Sequence, residues 1–262
     1  MEEIRNAAQK RLEAGDLALG AGIRHARTVD IAPVMKTCGY DWLFIDLEHN
    51  AMSLDTAVQI AVAALDAGIA PIARVPHMQH WLATRFLDGG GLGIVMPHVD
   101  SADEARAVVD HLKFPPLGHR SLIAPLAQLG FAGHGIPETI AAINQATLVT
   151  VMIESPQAIE EAEAIAAVPG VDVLLIGTND LAAEMGIPGE VGHPRIEAAY
   201  ATVAEACRKH GKKLGMGGVY DHEVMQRYIG MGAKFILSGN DLAFLMASAT
   251  ERSRFLRSID PR

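Results

Sequence analysis

Eight short runs rich in Val, Ile and Leu recur along the chain, and each is followed by a stretch with helical spacing of its apolar residues. Nearly continuous apolar strands that alternate with helices are typical of parallel strands buried on both faces of a sheet. Eight such units close most economically into a (β/α)8 barrel. We therefore predict an α/β fold, with a single barrel domain over residues 1–262. The predicted strands are 17–22, 42–46, 71–75, 93–97, 148–154, 173–177, 213–218 and 235–239.

An open doubly wound sheet is the alternative architecture for such a pattern. That fold usually carries a Gly-rich phosphate-binding turn after its first strand. The segment LGAGIRH matches the turn only in part, because His25 stands where the last Gly is expected. The sequence therefore favours the closed barrel.

Two segments stand apart from the repeated units. Residues 114–136 are dense in Pro and Gly and fall between the fourth and fifth strands, so we predict a long loop over the barrel mouth. Residues 241–259 follow the eighth strand and carry apolar residues near both ends. We predict that they form the C-terminal helical segment, long enough to reach a neighbouring subunit.

The charge of the chain limits its partners. Lys and Arg total 22 against 31 Asp and Glu, which gives a formal net charge of −9, whereas nucleic acids and anionic membranes require a concentrated basic surface. No apolar run approaches the roughly 18 residues that would span a bilayer. The two cysteines are too few for a disulfide framework. We therefore predict a cytoplasmic protein that binds neither nucleic acid nor membrane.

Polar residues at the ends of the predicted strands indicate where the chemistry lies, because active sites of these barrels form at the C-terminal ends of the strands. One such residue alone could cap a helix or stabilise a loop, but four groups at the same mouth favour a site. The groups are Asp46-Leu47-Glu48-His49 after the second strand, Arg74 in the third, Glu154 in the fifth, and Gly177-Thr178-Asn179-Asp180 at the end of the sixth.

Each group has a chemical role that suits its residue type. Glu154 and Asp180 would leave most of a coordination sphere open, which suits Mg²⁺ or Mn²⁺ completed by substrate and water oxygens. Arg74 offers a planar fork of donors for a carboxylate or a developing enolate oxygen. His49 supplies an imidazole, the side chain used most often as a general base. None of the seven lysines ends a strand where a Schiff base would form, so an aldolase built on this chain would use a metal.

Six motifs occur in order along the chain: GYDWLFIDLEHN, PIARV, FLDGGGLGIVMPHVDSADEA, FPPLGHRS, VMIES and DVLLIGTNDLAAEMG. With them, the sequence from about residue 15 to residue 246 resembles the HpcH/HpaI aldolases. This resemblance implies a barrel of the phosphoenolpyruvate/pyruvate type and a class II pyruvate aldolase of the 4-hydroxy-2-oxoheptanedioate aldolase type. It also implies a homo-oligomer, a hexamer arranged as a trimer of dimers, that swaps its last helix between subunits.

The reaction that the resemblance implies is the reversible cleavage of 4-hydroxy-2-oxo acids to pyruvate and an aldehyde. It would proceed through a pyruvate enolate held at a divalent metal ion, Mg²⁺, Mn²⁺ or Co²⁺, without an organic cofactor. Oxaloacetate decarboxylation is an expected side activity, because loss of CO₂ from oxaloacetate gives the same enolate.

The resemblance also assigns roles to individual residues. Arg74 would bind the substrate and the enolate, and His49 would be the catalytic base. Asp88, on the helix after the third strand, would orient His49 across a subunit interface. The metal ligands would be Glu154 and Asp180, and the pyruvate carboxylate would lie against the backbone of Gly177, Thr178, Asn179 and Asp180.

Three positions depart from the family pattern. Met152 stands where Gln is usual, Thr178-Asn179 replaces a common Pro-Ala pair, and Arg24 adds a cation after the first strand. The Met removes a hydrogen-bonding group near the metal, and Arg24 adds a positive charge at the mouth. The sequence therefore leaves the acceptor aldehyde open.

Two other functions remain open. A CoA-thioester lyase of the citrate-lyase-β or malyl-CoA type would share the two acidic ligands, but no basic cluster suits a CoA diphosphate. A non-catalytic barrel that acts as a scaffold would have no reason to keep the acidic ligands, Arg74 and His49 together.

Overall fold

The protein is described by a computed structural model over residues 4–260. Its eight strands are β1 (Ala18–Ile23), β2 (Trp42–Asp46), β3 (Ala70–Arg74), β4 (Gly93–Met96), β5 (Leu148–Ile153), β6 (Val173–Gly177), β7 (Lys213–Gly217) and β8 (Ala233–Asn240). The strands pair in parallel in sequential order, and β8 pairs with β1 to close the barrel. The predicted (β/α)8 barrel is therefore confirmed.

Every predicted apolar run overlaps one strand, and only the ends differ. The largest difference is in β8, which begins at Ala233 rather than at residue 235. A strand is defined by its hydrogen bonds to its neighbours, and these include residues outside the apolar run. Residues 1–3 and 261–262 of the predicted domain lie outside the described residues, and the single-domain organisation of the whole chain stays a prediction.

Helices connect the strands and cover the barrel. They are α1 (Ala7–Ala14), α2 (Ile31–Thr37), α3 (Leu54–Ala67), α4 (His80–Asp88), α5 (Ala102–Leu112), α6 (Ile136–Ala146), α7 (Pro156–Glu160), α8 (Ala162–Ala166), α9 (Thr178–Glu184), α10 (Pro194–His210), α11 (His222–Gly230) and α12 (Asp241–Ser258), with a 3₁₀ turn at Ala127–Leu129. Within residues 4–260, no helix has the length and apolar character needed to cross a lipid bilayer.

Helix ends follow from the local sequence. The Ser53 side chain accepts a hydrogen bond from the Thr56 N–H at the start of α3, and Ser101 accepts one from the Glu104 N–H at the start of α5. Gly68 ends α3 in the left-handed region at φ 70°, where a side chain would be strained. These caps fix where the two helices begin and where α3 ends.

Aromatic side chains fill the barrel at the amino ends of the strands. The Trp42 ring stacks on the Phe235 ring with centroids 4.0 Å apart, and its Nε1 donates to the Ala18 carbonyl at 3.1 Å. Helix α1 covers this layer with the buried side chain of Leu12. Because this end is packed, the space for a ligand lies at the carboxyl ends.

The Pro- and Gly-rich segment 114–136 lies at the amino end of the barrel, so the prediction of a loop over the mouth is wrong. The segment follows α5, which runs back from the mouth, rather than following a strand. Its Gln128 side chain donates to the carbonyls of Leu87 and Gly91 at 2.6 and 2.9 Å, in the connection that leads into β4. The direction of the preceding element decides which end a loop covers, and composition does not reveal that direction.

The C-terminal helix α12 lies within the segment predicted to be helical. Asp241 is its one buried residue among those the structure describes. Four apolar side chains of the helix are each 58–60% exposed, namely Leu245, Met246, Phe255 and Leu256. Helix α12 therefore presents apolar surface that the barrel of its own chain does not cover.

Gly20 tests the packing of the aromatic layer. A Cβ at this position of β1 would lie 2.2 Å from a carbon of the Trp42 ring. We expect Gly20→Ala to lower the free energy of unfolding by about 1–3 kcal/mol, because the ring cannot shift without disturbing its stacking on Phe235. Gly230→Ala is the control, since its added Cβ meets no atom within 4 Å. Urea unfolding measures both variants, and an unchanged midpoint for Gly20→Ala would contradict this packing.

Candidate active site

A cavity of about 280 Å³ opens at the carboxyl ends of the strands. Its lining includes His49, Arg74 and residues 177–180, which follow or end three different strands. Glu154 lies directly against Gly177, since a Cβ on that glycine would be 2.3 Å from Glu154 Oε1. The structure thus brings the four predicted polar groups to one mouth.

Arg74 is fixed by a buried carboxylate on the neighbouring strand. Asp46 and Arg74 end β2 and β3 and lie opposite each other in the sheet register. Arg74 Nε and Nη2 donate to the two Asp46 oxygens at 3.1 and 2.8 Å. Burial raises the pKa of Asp46, but the bonded guanidinium outweighs it and the pKa is lowered overall. This two-point contact sets the plane of the guanidinium at the cavity wall.

The turn after β2 places His49 at the rim of the cavity. Asp46 Oδ1 accepts hydrogen bonds from the backbone N–H groups of Glu48 and His49 at 3.1 and 3.2 Å. Glu48 Oε2 lies 3.2 Å from Arg74 Nε and 3.6 Å from His49 Nε2. The His49 side chain is 57% exposed. An imidazole that faces both a cavity and solvent can exchange protons with a ligand and with water.

Glu154 is a buried carboxylate whose position is set by His98. Its Oε2 accepts a hydrogen bond from the His98 backbone N–H at 2.8 Å and lies 3.2 Å from His98 Nδ1. Burial raises the pKa of Glu154 to about 7, with His98 acting to lower it and Asp180 acting to raise it. The backbone of His98 has φ 52°, in the left-handed region that few residues other than glycine adopt. A strained residue therefore supplies the N–H that holds Glu154.

Residues 178–180 begin helix α9 beside Glu154. Asp180 is exposed and lines the cavity. The buried Thr178 hydroxyl lies 2.8 Å from the Tyr200 hydroxyl, so this side chain points into the packed protein. Asn179 Nδ2 donates to the Gly218 carbonyl at 3.2 Å. Because the Thr178 hydroxyl is engaged with Tyr200, this residue can meet a ligand through its backbone.

Glu154 and Asp180 are the residues that could hold a metal ion. Across residues 4–260 there is no group of three or more His, Cys, Asp or Glu side chains suited to a metal. Two carboxylates suit a hard cation such as Mg²⁺, which retains several water or ligand oxygens. The residues fit this use, because a cation would offset both the burial of Glu154 and its repulsion by Asp180.

Asp88 does not meet His49 within the chain. It is the last residue of α4 and therefore lies at the amino end of the barrel. Its Oδ1 is 2.6 Å from Nη2 of the buried Arg120. Within residues 4–260, no hydrogen bond or ion pair joins Asp88 to His49. Orientation of His49 by the Asp88 of a neighbouring subunit stays a prediction.

Sequence reasoning gave no role to some of the residues at the cavity. Asp46 ends one strand and Arg74 ends the next, which is compatible with a contact, but only the register of the sheet shows that they pair. Tyr220 follows β7, Asn240 ends β8, and both line the cavity. They are uncharged and belong to no motif, so the sequence does not single them out. Arg24 lines the cavity where its place after β1 predicts.

Comparisons with known proteins identify relatives over nearly the whole chain. The HpcH/HpaI aldolase/citrate lyase family model matches residues 25–248. The chain is 40% identical to the 4-hydroxy-4-methyl-2-oxoglutarate aldolase of Hapsidospora irregularis, over 99% of this chain and 97% of the relative. It is 37% identical to the 4-hydroxy-4-methyl-2-oxoglutarate aldolase of Chaetomium globosum, over 97% and 96%. The crystal structure of an HpcH/HpaI aldolase from Desulfitobacterium hafniense matches with a TM-score of 0.91 at 27% identity and covers 97% of both chains.

The chain therefore belongs to the HpcH/HpaI aldolase/citrate lyase family. The predicted family and the predicted class of enzyme, a carbon–carbon lyase of the aldolase type, are confirmed by these matches. The alternative of a CoA-thioester lyase receives less support, because both curated relatives described above are aldolases.

Arg74 tests whether the guanidinium fork serves the reaction. A lysine keeps the charge but cannot hold both oxygens of Asp46 and also present a donor to the cavity. We expect Arg74→Lys to reduce turnover in aldol cleavage at least about 100-fold, the scale for losing an oxyanion donor. Arg106→Lys, which alters an exposed ion pair with Asp103, is the control and should leave turnover unchanged. Near-normal turnover of folded Arg74→Lys would mean that Arg74 only holds the structure.

Proposed function

We propose that this protein is a divalent-metal-dependent aldolase that reversibly cleaves 4-hydroxy-2-oxo acids to pyruvate and an aldehyde. The observation that carries the proposal is the meeting, at one end of the barrel, of a fixed guanidinium with a pair of carboxylates: Arg74 ends β3, Glu154 follows β5, and Asp180 lies in α9 after β6. The names of the curated relatives support it, since 4-hydroxy-4-methyl-2-oxoglutarate is itself a 4-hydroxy-2-oxo acid.

Glu154 and Asp180 would hold the metal ion, Mg²⁺, Mn²⁺ or Co²⁺. When bound, the cation would supply a Lewis acid for the oxygens of the 2-oxo acid. The oxygen-only donor pair supports a hard divalent cation over zinc, which favours His and Cys ligands. No organic cofactor is part of the proposal.

The residues of the chain then have separate roles in the reaction. The backbone at 177–180 binds the pyruvate carboxylate, and the Arg74 fork stabilises the negative charge that develops on the 2-oxo oxygen. His49 takes the proton of the C4 hydroxyl as the C3–C4 bond breaks. The electron pair of that bond stays with C3 as the enolate, and a proton added at C3 gives pyruvate. Loss of CO₂ from oxaloacetate yields the same enolate, so decarboxylation is a side activity.

The proposed protein acts as a homo-oligomer in the cytoplasm, with a hexamer as its assembly. The support for an oligomer is the apolar surface of α12, since monomers rarely leave such a surface on a helix that projects from the domain. The last helix would cross to a neighbouring subunit, and the neighbour's Asp88 would orient His49.

Metal removal tests the proposal most directly. We expect excess chelator to abolish cleavage of 4-hydroxy-2-oxo acids and added Mg²⁺, Mn²⁺ or Co²⁺ to restore it. Glu154→Gln and Asp180→Asn should each prevent the rescue at ordinary metal concentrations, because each variant leaves only one protein carboxylate to bind the metal ion. Full activity in excess chelator would contradict the metal assignment.

A pair of glycine variants provides a readout of the metal site besides activity. Gly177 and Gly217 lie opposite each other on β6 and β7. A Cβ at Gly177 would displace Glu154, whereas the nearest atom to a Cβ at Gly217 is 3.6 Å away. We expect Gly177→Ala to weaken Mn²⁺ binding at least about tenfold, the scale for disturbing a ligand's surroundings, and Gly217→Ala to leave it unchanged. Paramagnetic resonance of free Mn²⁺ measures both, and equal affinities would contradict the placement of Glu154 as a ligand.

The role of His49 can be distinguished from that of Arg74 by comparing two reactions. Cleavage needs a base at the C4 hydroxyl, whereas oxaloacetate decarboxylation does not. We expect His49→Ala to depress cleavage roughly 100-fold or more, the scale for losing a general base, and decarboxylation much less. Equal losses in the two reactions would contradict the role.

A variant of Asp88 tests whether this residue orients His49 across a subunit interface. We expect Asp88→Asn to weaken cleavage selectively, because it would no longer favour the charged imidazole. If Asp88 acts across an interface, mixed oligomers of His49→Ala and Asp88→Asn subunits should recover activity, since some sites would hold both native groups. No recovery in efficiently mixed oligomers would contradict action across an interface.

A further inference from the structure

Arg24 is a cation at the cavity that the proposed reaction does not use. It follows β1 and lines the same cavity as Arg74. Arg74 is engaged by Asp46 and Glu48. The Arg24 guanidinium, in contrast, makes no ion pair or side-chain hydrogen bond within residues 4–260. One of the two guanidinium groups at the mouth therefore has its charge available for a ligand.

The backbone that carries Arg24 is held in place by a buried carboxylate. Asp241, the first residue of α12, accepts hydrogen bonds from three successive N–H groups: Arg24 at 2.9 Å, His25 at 3.0 and 3.1 Å, and Ala26 at 2.7 Å. Asp241 is 8% exposed. The loop therefore presents the Arg24 side chain from a fixed position, which lowers the cost of ordering it on a ligand.

The barrel order places Arg24 across the mouth from the metal ligands. Arg24 follows β1 and Glu154 follows β5, and three strands lie between β1 and β5 in either direction around the eight-stranded barrel. His49 follows β2, next to β1. A substrate whose 2-oxo acid end lies at Glu154 and Asp180 therefore extends its distal carbons towards Arg24, with the C4 hydroxyl near His49.

The space between Arg24 and the two carboxylates is open. Gly22 and Gly217 line it without side chains. Burial raises the pKa of the Tyr220 phenol, and the positive charges of Arg24 and Arg74 act to lower it. Both guanidinium groups are therefore close enough to influence the same phenol. A ligand that contacts both guanidinium groups would therefore be a chain of a few carbons with one anionic group at each end.

We infer that Arg24 determines specificity for substrates with a carboxylate on C4, so that the aldehyde or ketone released is itself a 2-oxo acid. This inference rests on the proposed aldolase function and deepens it. A planar guanidinium binds a carboxylate through two parallel hydrogen bonds, and no carboxylate within residues 4–260 pairs with the Arg24 side chain. Arg24 takes no part in forming the enolate; it selects which substrate reaches His49.

Two substrates that differ only at C4 test the inference. One is 4-hydroxy-2-oxopentanedioate, which carries a carboxylate on C4, and the other is 4-hydroxy-2-oxopentanoate, which carries a methyl group. We expect the native protein to have the higher kcat/KM for the dicarboxylate. Arg24→Met should lower that kcat/KM at least about tenfold, the scale of a charged hydrogen bond that is partly open to water. Its kcat/KM for the methyl substrate should change less than about twofold.

Two further variants distinguish an effect of the Arg24 guanidinium from an effect of positive charge in the loop as a whole. Arg24→Lys should keep part of the preference, since it retains the charge without the fork. Arg27 lies three residues further on and does not line the cavity, and its guanidinium donates to the Arg24 and Ala26 carbonyls. We expect Arg27→Met to keep the preference. Equal losses on both substrates in Arg24→Met, no preference in the native protein, or the same loss of preference in Arg27→Met would each overturn the inference.

Exchange of the C3 protons of pyruvate with solvent distinguishes this inference from the proposed function. Exchange passes through the enolate and involves no acceptor, so Arg24→Met should retain native exchange, which also shows that the variant is folded. Native protein that catalyses exchange and cleavage without a preference for the dicarboxylate would overturn only the role of Arg24. Native protein that catalyses neither would overturn the proposed function, and the role of Arg24 with it.

Discussion

The ion pair between Asp46 and Arg74 is the contact on which the rest of the mouth depends. It joins two adjacent strands at the point where both end, and it is buried, so neither charge is screened by water. Asp46 also accepts the backbone N–H groups of Glu48 and His49. One carboxylate thus fixes the guanidinium plane and the turn that carries the imidazole. A buried charge left without its partner would be strongly destabilising, so the two residues act as a unit.

The side of the mouth that carries Glu154 and Asp180 is negatively charged instead. Glu154 is buried against Gly177, where the missing side chain makes room for its carboxylate. Its negative charge is disfavoured by burial and by Asp180, and favoured by His98 and Arg74. The barrel therefore separates a paired cation on β3 from a pair of carboxylates that follow β5 and β6. In the proposed reaction, one small 2-oxo acid would meet both kinds of charge at once.

Helix α12 connects the mouth to the outer surface of the barrel. Its first residue, Asp241, anchors the loop that carries Arg24, while its later turns expose apolar side chains. Any contact that shifts the start of this helix would move the Arg24 backbone as well. In the proposed oligomer, the position of Arg24 is therefore tied to the packing of the last helix.

The barrel itself could be predicted from the sequence, because eight apolar runs buried on both faces have few other ways to pair. Arg74, Glu154 and Asp180 could also be assigned to the mouth, since strand order and direction fix which end a strand-terminal residue occupies. The position of segment 114–136 could not, because it depends on the direction of α5 and not on composition. The pairing of Asp46 with Arg74, the burial of Glu154 against Gly177 and the anchoring of Arg24 by Asp241 were decided by tertiary structure. Each depends on register or close packing between residues distant in sequence, and the spacing of residues along one chain does not contain that information.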